Sequence, residues 1–341
     1  MKKIFAVLTV AVLAFAGCVS DPGASLKVDG TQLCRADGTP VVFRGVSFGW
    51  HNLWPRFYNA DAVAEITGNW GAPILRAAIG ADGHANADNP GCHSGYIDEP
   101  EFAMDCLFKV VDAAIANKKY IIVDWHSHVL HPAEAREFFT KVATRYKHSP
   151  YVIYELFNEP VCFSFEQEWS YADLGDPDAM QEYWEALKEY AEDLIETITS
   201  ISRTHPLILM GCPSWDQRID LPVSDPIDSY DNLMYTVHFY AGTHKDDLRA
   251  ATRAAVDAGL PVFISECAAC NADGNGDPDW ESWEAWNALA DEKGISMAVW
   301  SISDKNEFCS MISPEATSEG PWSDADLRPW GKAVKNGWLQ K

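Results

Sequence analysis

The sequence has no Gly-rich phosphate-binding loop, no P-loop and no GxSxG elbow. The stretch after its first apolar run in the body of the chain, Gly49-Trp50-His51-Asn52-Leu53-Trp54, is aromatic where a dinucleotide-binding protein needs glycines. Basic residues are scarce: 26 stand against 50 acidic ones, for a formal net charge of −24. A surface this acidic repels phosphate backbones, which argues against nucleic acid as a partner, whereas a neutral polymer is indifferent to it. No low-complexity tract and no repeat period of the solenoid or propeller kind is present. Cys267-Ala-Ala-Cys270 has zinc-like spacing, but there is no second CxxC to complete four ligands. His126-Ser-His128 and His51 lack carboxylate partners at metal spacing, so neither a metal nor another cofactor is expected.

The start of the chain reads as an export signal. Met1-Lys2-Lys3 is followed by an apolar run, Ile4–Ala16, and then Gly17-Cys18. That run is too short to cross a bilayer as a helix. Phe15-Ala16-Gly17-Cys18 resembles a bacterial lipobox, with phenylalanine where leucine is commoner. The expectation is a leader over 1–17, lipidation at Cys18, a tether over 18–25 and one domain over 26–341. This places the protein outside the cell or on the cell envelope (outer membrane or cell surface), touching membrane only through its lipid and acting as a monomer. With Cys18 lipidated, eight of the nine cysteines remain. An even number in an exported protein favours disulfides over zinc.

Short β-rich runs alternate with helical stretches. The runs are Val41–Phe48, Pro73–Ile79, Tyr120–Trp125, Val152–Phe157, Leu207–Gly211, Leu233–Tyr240, Pro261–Ser265 and Ser296–Ile302. Helical patterns lie between them at Ala103–Asn117, Ala133–Tyr146, Asp178–Arg203, Asp246–Ala258 and Ser282–Glu292, with stop signals at Asn117, Gly259 and Gly294. Alternation of this kind implies a parallel sheet, and eight units imply a closed barrel. The fold class is therefore α/β, a (β/α)8 TIM barrel. Leu26–Leu33 and Asp37-Gly38 suggest a short N-terminal β-hairpin plugging its lower end, and Asp326–Lys341 the last barrel helix.

Active residues of such barrels stand at the C-terminal ends of strands. Here those ends read Arg76, His126, Asn158-Glu159, Trp215, His238 with Tyr240, Glu266 and Trp300. Two apolar strands end in glutamate, at Glu159 and Glu266. Glycosidic cleavage needs such a facing pair, one to protonate the leaving oxygen and one to attack the anomeric carbon. The set Arg44-Gly45-Val46-Ser47, Leu75-Arg76-Ala77-Ala78, Asp124-Trp125-His126-Ser127-His128, Asn158-Glu159-Pro160, His238-Phe239-Tyr240-Ala241-Gly242-Thr243-His244, Ser265-Glu266 and Trp300–Glu307, in that order, resembles glycoside hydrolase family 5, most of all its bacterial endoglucanase (cellulase) branch.

The resemblance implies roles residue by residue. Glu159 would be the general acid/base and Glu266 the nucleophile. Glu159 should then have a raised pKa. Arg76 would stabilise the charge of Glu266, and Tyr240 would orient it. Asn158 would bind the sugar 2-hydroxyl. His126 and His238 would bind sugar hydroxyls or orient the acid/base. Trp300 would underlie the sugar at the cleavage point and Lys305 would reach a hydroxyl, with Trp50, Trp54 and Trp215 as further platforms. Cys267 departs from the family pattern, which has tryptophan after the nucleophile. The expected bridges are Cys267 or Cys270 with Cys309, Cys162 with Cys212, and Cys92 with Cys106 beneath a loop over Asp82–Ser94. Glu155 and Asp124 read as structural ion pairs, Trp70, Trp330 and Trp338 as helix packing, and His131 and His148 as solvated. The implied activity is retaining endo-β-1,4-glucanase on a β-glucan polysaccharide. The alternatives are a mannanase, xylanase or mixed-linkage glucanase on the same barrel, or a carbohydrate-binding surface lipoprotein without catalysis.

Overall fold

The computed structural model describes residues 21–83, 91–161 and 176–341. The leader, Cys18 and Cys162 lie outside the described residues. All eight apolar runs become strands of one closed, all-parallel barrel. They are β3 (Arg44–Phe48), β4 (Ile74–Gly80), β5 (Tyr120–His126), β6 (Val152–Glu155), β7 (Ile208–Met210), β8 (Leu233–Tyr240), β9 (Val262–Ala268) and β10 (Met297–Ile302). They follow chain order around the barrel, and β10 closes against β3. Every residue of β4 to β10 is buried. This is why they read as continuous apolar runs: a parallel sheet is covered on both faces, by helices outside and packed side chains within.

The helices start and stop where local chemistry dictates. Pro177–Ile201 opens with Asp176 accepting from the Asp178 amide and proline in its first turn. Its inward stripe, Met180, Tyr183, Trp184, Leu187, Ala191, Leu194 and Ile198, repeats at three to four residues. Trp280–Lys293 is capped by Asp279, which accepts from the Ser282 amide, and ends at Gly294 in the left-handed region (φ 68°). After Pro100–Ala116 the left-handed residue is Lys118 (φ 53°), one place beyond the expected stop at Asn117. The last α-helix spans only Pro329–Asn336, and a 3-10 turn, Trp338–Gln340, follows it.

The hairpin exists, with a different turn. β1 (Leu26–Asp29) pairs antiparallel with β2 (Gln32–Arg35). The chain reverses at Gly30, which has φ 60°. Asp37-Gly38 belongs to the next turn, where the Gly38 amide donates to the Arg35 carbonyl. The hairpin sits under the barrel. Asn232, just before β8, receives the Val28 amide and donates to the Leu26 carbonyl, and Tyr120 at the start of β5 donates to the Ala24 carbonyl.

Among the described residues the expected cysteine bridges are not formed. Cys34, Cys92, Cys106, Cys212, Cys267, Cys270 and Cys309 are all free thiols. Cys92 faces the Leu53 carbonyl at 3.5 Å. Cys106 is buried in Pro100–Ala116, where burial pushes its pKa up to about 12. Cys212 lies 3.8 Å from the Thr236 carbonyl, while its expected partner Cys162 is outside the described residues. Cys267 turns into the core toward the Ala298 carbonyl. Cys309 donates to Glu307 Oε1 at 3.3 Å, and the neighbouring Cys270 thiol, with burial and Glu307, pushes its pKa well up.

Candidate active site

Arg76 on β4 organises the floor of the mouth. Its guanidinium is fully buried and reaches four neighbouring side chains: Glu155 (2.6 Å), Glu266 (2.8 Å), Asn158 (2.7 Å) and Asp124 (3.0 Å). Burial disfavours its charge, but Asp124, Glu155 and Glu266 outweigh burial and hold it well above its ordinary pKa. Glu155 and Asp124 are thus structural ion pairs, as expected, and they lie directly beneath the chemistry.

Glu266 receives two donors. Arg76 donates to Oε2, and the Tyr240 hydroxyl donates to Oε1 at 2.6 Å. Burial, Glu266, Cys309 and Glu159 all push the Tyr240 hydroxyl well above its ordinary pKa, so it stays a donor. With both oxygens accepting, the carboxylate is fixed in orientation. Asn158 commits its Oδ1 to Arg76, which leaves its NH2 as the donating end.

Glu159 stands in different company. His238 Nδ1 lies 3.0 Å from Oε1 and His128 Nε2 lies 3.2 Å from Oε2. Burial raises the Glu159 pKa, but the hydrogen bonds and charge of His128 and His238 outweigh it and hold the carboxyl well below its ordinary range. The expectation of a raised value is therefore overturned. Correspondingly, both His128 and His238 are raised above the ordinary histidine value against their burial.

The remaining expected residues divide by position. His126 donates through Nδ1 to Asp124 at 2.6 Å. Burial first, and the charge of Arg76 next, keep it neutral. Its ring stacks on Trp300 at 5.4 Å and 7° and meets Trp50 edge-on at 4.4 Å. Trp50, Trp54, Trp300 and Lys305 line one cleft with Glu159, Tyr240 and Glu266. Lys305 pairs with Glu307 at 2.5 Å. Trp215 lies outside that lining, half-buried on the turn after β7. Sequence reasoning missed His128, Ser265 and Asp216. The His-x-His pattern was the available signal for His128, since residues two apart on an extended segment share a face. His131, read as solvated, instead pairs with Asp82.

Glu159, His238 and Glu266 each place one donor atom within 4.8 Å of the others, a grouping compact enough for a cation. Arg76 already supplies positive charge to Glu266, and the chemistry of two facing carboxylates needs no metal. Their separation lies in the range for direct attack, short of the roughly 6.5–9.5 Å that admits a water between them.

A (β/α)8 barrel with two carboxylates this close at its mouth, one fixed by arginine and tyrosine and the other by histidines, defines a glycoside-cleaving class of protein. The family model Cellulase (glycosyl hydrolase family 5) matches residues 34–306. The chain is 35% identical to Endoglucanase Z of Dickeya dadantii (strain 3937), across 98% of this chain and 72% of that protein. It is 31% identical to an endoglucanase of Clostridium saccharobutylicum, across 92% and 64% respectively. Among solved structures it superposes on a Cytophaga hutchinsonii protein with a TM-score of 0.80 and 34% identity, covering 93% of this chain and 94% of that one. The catalytic domain of Thermobifida fusca endoglucanase Cel5A gives 0.78 and 27%, covering 94% and 98%. The chain belongs to glycosyl hydrolase family 5.

Proposed function

We propose that the protein is an endo-β-1,4-glucanase that cleaves internal glucosidic bonds with retention. The observation that carries this is the Glu159–Glu266 pair within 4.8 Å, with histidines on one carboxylate and fixed donors on the other. Glu266 attacks the anomeric carbon while Glu159 gives a proton to the departing glycosidic oxygen, which forms a covalent glycosyl-enzyme. Glu159, now a carboxylate, takes a proton from water, whose oxygen displaces Glu266 from the same carbon. Two inversions return the original configuration. The hydrogen bonds of His128 and His238 to Glu159 give the proton a path to and from the carboxylate. Asn158 serves the 2-hydroxyl, Trp300 underlies the ring at the cleavage point, and Trp50, Trp54 and Lys305 extend the cleft. His126 faces sugar hydroxyls, and Trp215 contributes at most at the periphery.

Carboxymethylcellulose hydrolysis by wild type and Glu266→Ala tests this, with sugar release expected only from wild type. Equal release by both would remove Glu266 from the mechanism, and an inverted first product would replace retention. A panel of β-glucan, glucomannan and xylan separates the glucanase from a mannanase, xylanase or mixed-linkage enzyme. Wild type inert on every polymer but retained on cellulose would point to a binding protein.

The same proposal places the enzyme outside the cell, held at the envelope by a lipid on Cys18 and acting as a monomer on its polysaccharide. Fatty-acid labelling of wild type but not Cys18→Ala is the check. The disulfide reading narrows to Cys270 and Cys309. Transfer of two electrons and two protons to a disulfide-donating oxidant would join them, and a count of titratable thiols before and after reduction decides it.

A further inference from the structure

We infer that Asp216 is a positioning residue for the acid/base step, fixing which nitrogen of His238 carries hydrogen and keeping a proton on the His238–Glu159 pair. The inference rests on the acid/base reading of Glu159.

Counting hydrogens leads to it. Ser265 has one hydroxyl hydrogen, and Glu155 Oε1, 2.6 Å away, takes it. His238 Nε2 lies 2.8 Å from the same Ser265 oxygen. With its hydrogen committed, that oxygen can only accept, so His238 Nε2 bears hydrogen. One proton then remains to be shared between His238 Nδ1 and Glu159 Oε1, and it is the proton that general acid catalysis spends.

Asp216 faces the opposite edge of the ring. Its Oδ2 lies 3.2 Å from His238 Nε2 and accepts from the Thr236 hydroxyl at 2.8 Å, and its Oδ1 accepts from the Cys212 amide at 2.7 Å. Two donors, the Cys212 amide and the Thr236 hydroxyl, fix its two oxygens, and the Nε2 side of His238 lies beside Oδ2 as an ion-pair partner. Burial pushes the Asp216 carboxyl well above its ordinary range and Glu159 adds to this; the His238 imidazole 3.2 Å away is the largest influence opposing them, so any charge on Asp216 depends on that pairing.

The chain goes out of its way to place this side chain. Ser214, Trp215 and Asp216 are all left-handed, with φ of 59°, 54° and 62°. Each such residue costs about 1–2 kcal/mol. Gly211 beside it has no room for a Cβ, which would meet the Phe157 carbonyl at 2.6 Å and Asp216 Oδ1 at 2.8 Å. The turn is therefore pressed directly onto the segment that carries Asn158 and Glu159.

Other charges also face His238. Glu155 from β6 is 3.8 Å from Nε2. Glu266 from β9 and Asp124 from β5 act through space, His128 shares Glu159, and His244 from the turn after β8 repels. Arg76 neutralises Glu155, Asp124 and Glu266 through direct ion pairs. Among the described residues Asp216 has no such cation of its own, and its one ion-pair contact is the His238 imidazole.

Asp216→Asn keeps the size and the acceptor for the Cys212 amide, while it removes the charge. Expected are a fall in kcat of about tenfold, an unchanged KM, and an alkaline limb of the pH profile displaced about one unit toward lower pH. A lower melting temperature with kcat and the pH profile unmoved would overturn the proposal and leave Asp216 a structural residue. Nitrogen NMR of wild-type His238, assigned by loss of its signal in His238→Gln, gives a test that needs no Asp216 variant. A hydrogen-bearing Nε2 at neutral pH is expected, and a bare Nε2 would refute the proposal. If wild type cleaves no glycoside, the acid/base reading fails instead, which is distinct from an active enzyme indifferent to Asp216→Asn.

Discussion

The two halves of the mouth hold their carboxylates by opposite means. Glu266 is fixed by Arg76 and Tyr240, donors that keep their hydrogens throughout the working pH range. Glu159 is fixed by His128 and His238, donors that gain and lose hydrogens within it. A nucleophile needs one constant charge state, so rigid donors suit it. An acid/base alternates between two states, so its neighbours must be able to share a proton. The difference separates the roles of two glutamates that are chemically the same residue.

The comparison can be broken from either side. The largest effect is expected on removing the carboxylates. Glu266→Ala and Glu159→Ala should each lower kcat by several orders of magnitude, as with other groups that act as a unit. Azide should distinguish them: it replaces Glu266 to give a glycosyl azide of inverted configuration, and replaces water in Glu159→Ala to give one of retained configuration. Product NMR reads the outcome, and the same anomer from both would erase the asymmetry.

Arg76→Met comes next. It leaves Asp124, Glu155 and Glu266 buried without their cation, which should cost about 3–5 kcal/mol of stability together with most of the activity. Urea unfolding measures the first part, and a stable Met variant would contradict the hub.

His128→Ala tests the titrating side. The folded pKa of His128 is raised, so its contribution is complete below its unfolded value of about 6.5 and is lost as pH rises through the folded one. The Glu159 value is depressed, so its contribution is complete above about 4.3 and is lost as pH falls through the folded one. The stability gap between wild type and variant should therefore be widest between about pH 4.3 and 6.5 and narrow on both sides. A gap independent of pH would mean that packing, rather than charge, holds His128. The smallest effect is expected from Trp54→Ala, a rise in KM of about three- to tenfold with kcat nearly unchanged, because the platform grips ground and transition states alike.

The strands were legible because burial on both faces writes itself as uninterrupted apolar runs, and the ends of those runs named Arg76, Asn158, Glu159, Tyr240, Glu266 and Trp300. Asp216 was not legible. It reaches His238 only through three left-handed residues, a conformation that Ser-Trp-Asp does not announce. The pKa of Glu159 was misread because its direction depends on the sum of two histidines, one just after β5 and one on β8, against burial. The cysteine pairings were only partly legible: parity counts thiols but says nothing of which ones the barrel brings together, and the sequence left Cys267 and Cys270 as equal candidates to face Cys309, whereas Cys267 turns into the core. The hairpin turn was displaced because Gly30 and Asp37-Gly38 both satisfy local turn chemistry, and only the pairing of Leu26 with Arg35 decides between them.

The hairpin under the barrel also sets a direction. Its first strand is bound to Asn232 just before β8, and Ala24, shortly before that strand, to Tyr120 at the start of β5, at the end of the barrel opposite Glu159 and Glu266. A tether through Cys18 would therefore leave from the underside, and whatever surface holds it would lie behind the protein. The mouth would then look outward, toward a polymer too large to slip between the enzyme and its support.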